Sequence, residues 1–395
     1  MNRPDFDSII DRRETGSYKW DDEPDAPADM LPLWVADMDF RCAEPIIEAL
    51  RRRVDHGIFG YTYVPDAYYD AVTRWFSRRH GWNIDRRSMI YTSGVVPAVS
   101  AIIKAMTNPG DIVITQTPAY NCFFSSIRNN GCTLAANPLK YDNGHYSIDF
   151  ENLEMLAQDP RSRVIILCNP HNPSGRVWTP EELCRVAEIA EANGLFVIAD
   201  EIHCELVYKP HRYTPYATIC TPLQLRNCAV CVSPSKAFNI AGLQIANIIA
   251  CDDDIRSRID KTININEVCD VNPFGVVATI AAYNESSPWL EALIDYLRDN
   301  YEHLCRRIAE KLPLLSVVPL EGTYLAWIDI SATGLTDIEL TDLLAERTHL
   351  RLNPGSMYGQ GGENFFRINL ACPRSRLDEA INRMIDALSP YAGRK

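Results

Sequence analysis

Long apolar runs are missing from this chain. No stretch approaches the roughly 18 consecutive apolar residues of a membrane span, and Met1 to Asp25 carries charges throughout, with nothing resembling a secretory signal. No membrane partner is expected, and the cytoplasm is the expected location. Positive charge is also short: 39 Lys and Arg against 52 Asp and Glu leave a formal charge of −13 without a basic stripe. That balance argues against nucleic acid as a partner and for a small substrate. Internal repeats and low-complexity linkers are absent. Cysteine is not scarce, but the spacing of a disulfide framework is: the 13 cysteines lie mostly inside apolar segments such as Cys168, Cys231 and Cys251, which suits reduced core thiols. Cys228 and Cys231 form a CxxC on a strand, where residues three apart point to opposite faces. His203-Cys204-Glu205 with His211 finds no second cluster at zinc-like spacing, so no metal is expected.

What is present is enough apolar material, 46% of 395 residues, for a core divided over two domains. Short runs rich in valine and isoleucine recur at Met89–Tyr91, Asp111–Thr115, Thr133–Ala136, Val164–Cys168, Leu195–Ala199, Ala229–Val232 and Ala246–Cys251. Helical periodicity separates most of them, as in Val96–Met106 and Glu181–Ala192. The expected fold is α/β: a mainly parallel seven-stranded sheet with helices on both faces, plus a smaller α+β domain. The large domain is expected over residues 51–287. Residues 1–50 and 288–395 supply an N-terminal arm and the small domain, with strands near Val317, Tyr324–Ile330 and Phe365–Leu370. Thr179-Pro180-Glu181-Glu182 reads as a helix start, with a threonine cap, proline first and acids in the first turn.

In such a sheet, ligands gather at the carboxyl ends of the strands. Those ends carry Ser93-Gly94-Val95, Tyr120, Asn169 to Gly175, Asp200, and Ser233-Pro234-Ser235-Lys236. An amine there can form an imine with an aldehyde cofactor, and a buried carboxylate can keep a pyridine nitrogen protonated, so Lys236 and Asp200 read as two ends of a pyridoxal phosphate site. The turn Ser93-Gly94-Val95 enters a helix and can cradle a phosphate with Ser233 and Ser235, or it is an ordinary helix cap. Tyr120 can stack on the ring and Asn172 can reach its hydroxyl oxygen, or both simply pack their loops. Arg367, on the apolar strand Phe365–Leu370, needs an anion, and a substrate carboxylate suits its planar fork.

Several motifs extend this pattern: Trp34-Val35-Ala36-Asp37-Met38-Asp39-Phe40, Phe59-Gly60-Tyr61-Thr62, Cys168 to Gly175, Ala199-Asp200-Glu201-Ile202-His203, and Ser235-Lys236-Ala237-Phe238-Asn239-Ile240-Ala241-Gly242-Leu243. With them, the whole chain resembles the fold-type I, class I/II aminotransferase-like pyridoxal phosphate enzymes. Within that group it is most similar to the cystathionine β-lyase branch, the MalY/PatB-type carbon–sulfur lyases. The resemblance implies that Lys236 bonds the cofactor, Asp200 pairs with the ring nitrogen, Tyr120 stacks on the ring, and Asn172 and His203 lie at its oxygen. It implies that Arg367, with Tyr61 and Asn172, binds substrate, and that Tyr61 reaches across a homodimer with shared active sites to the partner's cofactor. Two departures from the aspartate aminotransferase pattern stand out: His203 replaces a tyrosine and Gln244 an arginine, leaving the phosphate to Ser93, Ser233, Tyr61 and backbone donors.

The implied activity is α,β-elimination from L-cysteine S-conjugates such as cystathionine, giving a thiol, pyruvate and ammonia. Lys236 moves the Cα proton. An aminotransferase on the same scaffold is the nearest alternative, and a lyase with an added regulatory protein-binding role is another.

Overall fold

Runs of valine and isoleucine pair into one central sheet in the computed structural model, which describes residues 4–265 and 271–391. Its strands are β1 (Met89–Thr92), β2 (Ile112–Thr117), β3 (Thr133–Pro138), β4 (Ser162–Cys168), β5 (Phe196–Asp200), β6 (Cys228–Val232) and β7 (Ala246–Ile249). They lie in the order β1-β7-β6-β5-β4-β2-β3. All neighbours are parallel except those of β7, which runs antiparallel to β1 and β6. The expected seven-stranded, mainly parallel sheet is therefore present.

Helices cover both faces, which is why the strands read as continuous apolar runs rather than alternating ones. In β4, Ile165 and Leu167 join one apolar cluster with Trp178, Leu183 and Val186, while Val164, Ile166 and Cys168 join the other with Val99, Ile102 and Ile127. Cys228 and Cys231 divide between the same two clusters, as their spacing predicts, and the cysteines of the described residues are free. The crossover helix Pro180–Ala192 starts with a reciprocal cap: Glu182 N donates to Thr179 Oγ1 (3.2 Å), and Thr179 N donates to Glu182 Oε2 (2.8 Å). Such a cap contributes about 1 kcal/mol and fixes where the crossover begins.

A second, antiparallel sheet is built from β8 (Ser316–Val317), β9 (Leu325–Asp329), β10 (Asn353–Pro354) and β11 (Phe365–Asn369), in the order β8-β9-β11-β10. Three of these lie at predicted strand positions. The two-residue β10, half of it proline, is too short for periodicity to reveal. The helices Ser287–Lys311 and Arg374–Leu388 pack together beside this sheet. The arm joins it too: Leu31–Pro32 pairs in parallel with Leu350–Arg351, and Phe6 packs edge-on against Phe40 (5.0 Å) and Trp289 (5.6 Å). No helix of the described residues is long and apolar enough to cross a membrane.

Candidate active site

The carboxyl ends of five parallel-sheet strands meet the second sheet along one rim. Ser93 follows β1, Tyr120 follows β2, the loop 169–175 follows β4, Asp200 ends β5, and Ser233–Lys236 follows β6. The loop after β4 is shaped by Gly175, whose φ of +75° suits glycine; a Cβ there would lie 2.5 Å from Leu320 Cδ1. Its amide donates to His171 O (2.8 Å) and its carbonyl accepts from Glu321 N and Gly322 N (3.0 and 2.9 Å), which ties the loop bearing Asn172 to the segment leading into β9.

Asp200 is buried, and Ile202 N donates to its Oδ1 at 3.1 Å. Burial raises its pKa to about 6, against the pull of the Ile202 amide and the Lys236 charge. Lys236 moves the other way. Burial and the Arg367 charge lower its pKa to about 8, with Asp37 and Asp200 opposing. Its Nζ donates to Ala36 O at 2.5 Å. Both groups are thus brought toward neutrality, the condition for an amine that must act as nucleophile and base near neutral pH.

Arg367 sits mid-strand in β11 at 4% exposure. Its Nη1 donates to Asn172 Oδ1 (3.1 Å) and its Nη2 to Trp34 O (2.7 Å), and the guanidinium lies 5.0 Å from the Tyr358 ring centre. Among the described residues no carboxylate lies within 4.0 Å of it, and its buried Nε has no hydrogen-bond partner. A buried guanidinium without an anion is costly, so the site favours an incoming one. His203 is also buried, its Nδ1 unpartnered, and burial with the Lys236 and Arg367 charges holds its pKa well below the ordinary value, so the imidazole is neutral. Tyr120 is half-buried; burial and its neighbour Cys122 raise its pKa, while Arg367 opposes.

The phosphate-side residues divide. Ser93, Gly94 and Val95 open the helix Val95–Met106, where no side chain caps the first amides, so those N–H groups are available to an anion. Ser235, in the turn that carries Lys236, is buried, and its amide donates to Ser233 Oγ (3.1 Å). Ser233 Oγ in turn donates to Ile245 O (2.6 Å), so this hydroxyl braces the turn before β7 instead of offering its proton to a ligand. Tyr61 is 96% exposed on the loop after the helix Glu44–His56. Gln244 is exposed, at a φ of 52°.

With this geometry in view, the family model described as aminotransferase class I and II matches residues 28–384. The chain belongs to that family. It is 41% identical to the cystathionine beta-lyase PatB of Bacillus subtilis over 97% of this chain and 100% of that protein. Protein MalY of Escherichia coli is 34% identical over 97% of this chain and 98% of its own length. Among solved structures, cystalysin from Treponema denticola, which contains a pyridoxal 5'-phosphate cofactor, superposes with a TM-score of 0.95 at 34% identity, covering 98% of this chain and 99% of that one. The residues of this aminotransferase-family site fit such a cofactor. An amine near neutrality faces a buried carboxylate, uncapped helix amides stand at one end, and His203 Nδ1 and Arg367 Nε are buried donors or acceptors in need of partners.

The sequence motif implies that the Trp34–Phe40 loop borders the substrate pocket, but it does not show that Ala36 O meets Lys236, nor that Tyr324 and Asn369 hold the loop. Asn239 was visible in its motif without a role; it clamps the same segment, giving Nδ2 to Met38 O and Phe40 O (3.0 Å each) and accepting from Met38 N (3.0 Å). Its φ of 56° marks a left-handed turn, the one signal that an asparagine there is special. The other histidine–cysteine cluster is structural. Trp75, Arg79 and His80 all bond Glu205 (2.6, 2.7 and 2.8 Å), so that carboxylate is matched by protein donors.

Proposed function

We propose that this aminotransferase-family protein is a pyridoxal phosphate-dependent carbon–sulfur β-lyase that cleaves L-cysteine S-conjugates such as cystathionine to a thiol, pyruvate and ammonia. The observation that carries the reading is a half-buried amine with a lowered pKa beside a buried carboxylate with a raised one, facing an arginine that has no carboxylate of its own among the described residues. Elimination is favoured over amino-group exchange by full-length similarity to a cystathionine beta-lyase and by His203 at the position where aminotransferases carry tyrosine.

Lys236 would hold the cofactor through its aldehyde carbon, Asp200 through its ring nitrogen, and the amides at Ser93 to Val95 through its phosphate, with Ser235 nearby. Tyr120, Asn172 and His203 would border its ring. When bound, the cofactor supplies an aldehyde that takes up amines and a ring that withdraws electrons from bonds at the substrate's α-carbon. Arg367 receives the substrate carboxylate in a two-pronged contact and thereby orients the α-carbon toward Lys236. The Lys236 amine then takes the α-proton; its pKa of about 8 leaves a useful unprotonated fraction at neutral pH. Burial disfavours the Asp200 charge, so a protonated ring nitrogen facing it and this carboxylate would stabilise one another.

In the same reading, residues 51–287 carry the cofactor, residues 1–50 with 288–395 close over it, and two copies share their sites in the cytoplasm. The exposed side chains of Ile58, Phe59, Tyr61 and Tyr63 support a second copy there, because such a patch is a poor solvent surface. A groove of about 930 Å³ runs outward from Ser93 past Tyr63, Lys104 and Arg256. The test is pyruvate release from cystathionine by cofactor-loaded protein without any 2-oxo acid. Strict dependence on an added 2-oxo acid would instead establish an aminotransferase.

A further inference from the structure

The segment Trp34–Met38 belongs to no strand or helix, yet each of its five carbonyls accepts a hydrogen bond from a side chain elsewhere. Trp34 O accepts from Arg367 Nη2 (2.7 Å) and Asn353 Nδ2 (3.0 Å). Val35 O and Asp37 O both accept from Asn369 Nδ2 (2.6 Å each). Ala36 O accepts from Lys236 Nζ (2.5 Å) and Tyr324 Oη (2.9 Å). Met38 O accepts from Asn239 Nδ2 (3.0 Å) and Arg12 Nη1 (3.2 Å).

Two of these carbonyls are shared in a particular way. Lys236 and Arg367 carry the chemistry proposed above, and each shares its acceptor with one uncharged side chain, Tyr324 or Asn353. Both partners are themselves fixed. Tyr324 is fully buried, its ring 6.0 Å from that of His203. Asn353 is paired with Arg367 across β10 and β11, and its Nδ2 also donates to Tyr358 Oη (3.1 Å) beneath the same guanidinium. When Lys236 or Arg367 turns to a ligand, a donor therefore remains on the carbonyl it leaves. The segment keeps its place and so does the seat to which the side chain returns.

We propose that Tyr324 and Asn353 are positioning residues, Tyr324 for the Lys236 amine through Ala36 O and Asn353 for the Arg367 guanidinium through Trp34 O. The assignment rests on the lyase reading for the roles of Lys236 and Arg367. Its consequence is a separation of functions: the tyrosine governs proton transfer and the asparagine governs carboxylate binding.

The test compares Tyr324→Phe and Asn353→Ala with the unmodified holoenzyme. One lost hydrogen bond at a seat of this kind is expected to cost about tenfold in the quantity it controls. Tyr324→Phe should lower kcat about tenfold with KM within about twofold, and raise the isotope effect on α-deuterated cystathionine, because proton removal becomes slower. Asn353→Ala should raise KM, and the dissociation constant of an amine-free carboxylate analogue measured by calorimetry, about tenfold with kcat and the isotope effect nearly unchanged. Asn353→Ser, which keeps a donor, should recover most of the binding. If both variants move the same parameter, or neither moves its own, the proposal is wrong. Two readouts need no turnover: uptake of pyridoxal phosphate by cofactor-free protein, slowed only by Tyr324→Phe, and the carboxylate dissociation constant, weakened only by Asn353→Ala. If unmodified protein releases no pyruvate, the lyase reading fails, and these two still decide the positioning roles.

Discussion

Two clusters of buried charge lie within this molecule, and they are built to opposite ends. At Asp39 the carboxylate is well matched: Lys19 Nζ (2.9 Å) and Arg12 Nη1 (2.9 Å) pair with its fully buried side chain, Trp20 Nε1 donates to it (3.0 Å), and Arg376 Nη1 approaches to 3.3 Å without making a hydrogen bond. Burial alone would raise the Asp39 pKa, but Lys19, Trp20 and Arg376 bring it below the ordinary value. At Lys236 the matching is incomplete. Asp200 is pushed up, Lys236 is pushed down, and Arg367 Nε and His203 Nδ1 have no partners. A carboxylate surrounded by cations keeps its charge and acts structurally, whereas a carboxylate and an amine that burial moves away from their ordinary values are groups that a ligand can complete.

The sharpest way to separate the clusters is to remove Lys236. In Lys236→Ala, pyruvate release from cystathionine should fall by about 10²- to 10⁴-fold or more, while a urea melt of the cofactor-free protein shows no loss of stability, since a half-buried amine held below its ordinary pKa does not favour folding. A large loss of stability would place Lys236 with the structural cluster.

Asp200→Asn should cost about 10²- to 10³-fold in rate, the effect of breaking a buried charged pair on the transition state. In cofactor-free protein the same change should stabilise on the order of 2 kcal/mol at pH 7. The sign follows from its raised pKa. Between the unfolded value near 4 and the folded value of about 6 the native state holds the extra proton, so stability falls as pH rises through that window, and asparagine removes the slope.

Asp39→Asn should act on folding instead, losing about 3–5 kcal/mol in the same urea melt because Arg376 loses its carboxylate and Arg12 and Lys19 are left with Asp37 alone. Asp39 has the opposite pH slope to Asp200. Its folded pKa is depressed, so its contribution is present above the unfolded value and disappears as pH falls through the folded one. The acid side of the stability curve should flatten in Asp39→Asn; an unchanged curve would remove the contrast between the two carboxylates.

The smallest effect is a matter of pH alone. Uptake of pyridoxal phosphate by cofactor-free protein requires the neutral amine, so its rate should rise about tenfold per pH unit below the Lys236 pKa of about 8 and level off above it. A profile levelling only near the ordinary lysine value would mean that burial and Arg367 do not perturb this amine.

Much of this site was legible in the chain because its parts are local. A strand that ends in Asp200, a turn that delivers Lys236 after β6 and a glycine-containing turn at Ser93 can each be read from a few residues. The same locality gave the seven strands and the cap at Thr179. Not legible was the bond made by Ser233, whose residue type suits a phosphate and whose hydroxyl here donates to Ile245 O, a group that sequence spacing does not bring near. Tyr324 went unmarked because it looks like one more apolar-strand aromatic.

The order of apolar runs and turns thus determined by itself which residues arrive at the carboxyl edge of the sheet, since strand period and crossover direction depend on near neighbours in the chain. Tertiary structure decided which of them are completed and which are left wanting. Ala36 and Lys236, 200 positions apart, meet only because the arm crosses between two sheets, and among the described residues none of the packed elements brings a carboxylate to Arg367. Burial and partner choice are properties of the assembled core, and they turn a lysine, an aspartate and an arginine into a site.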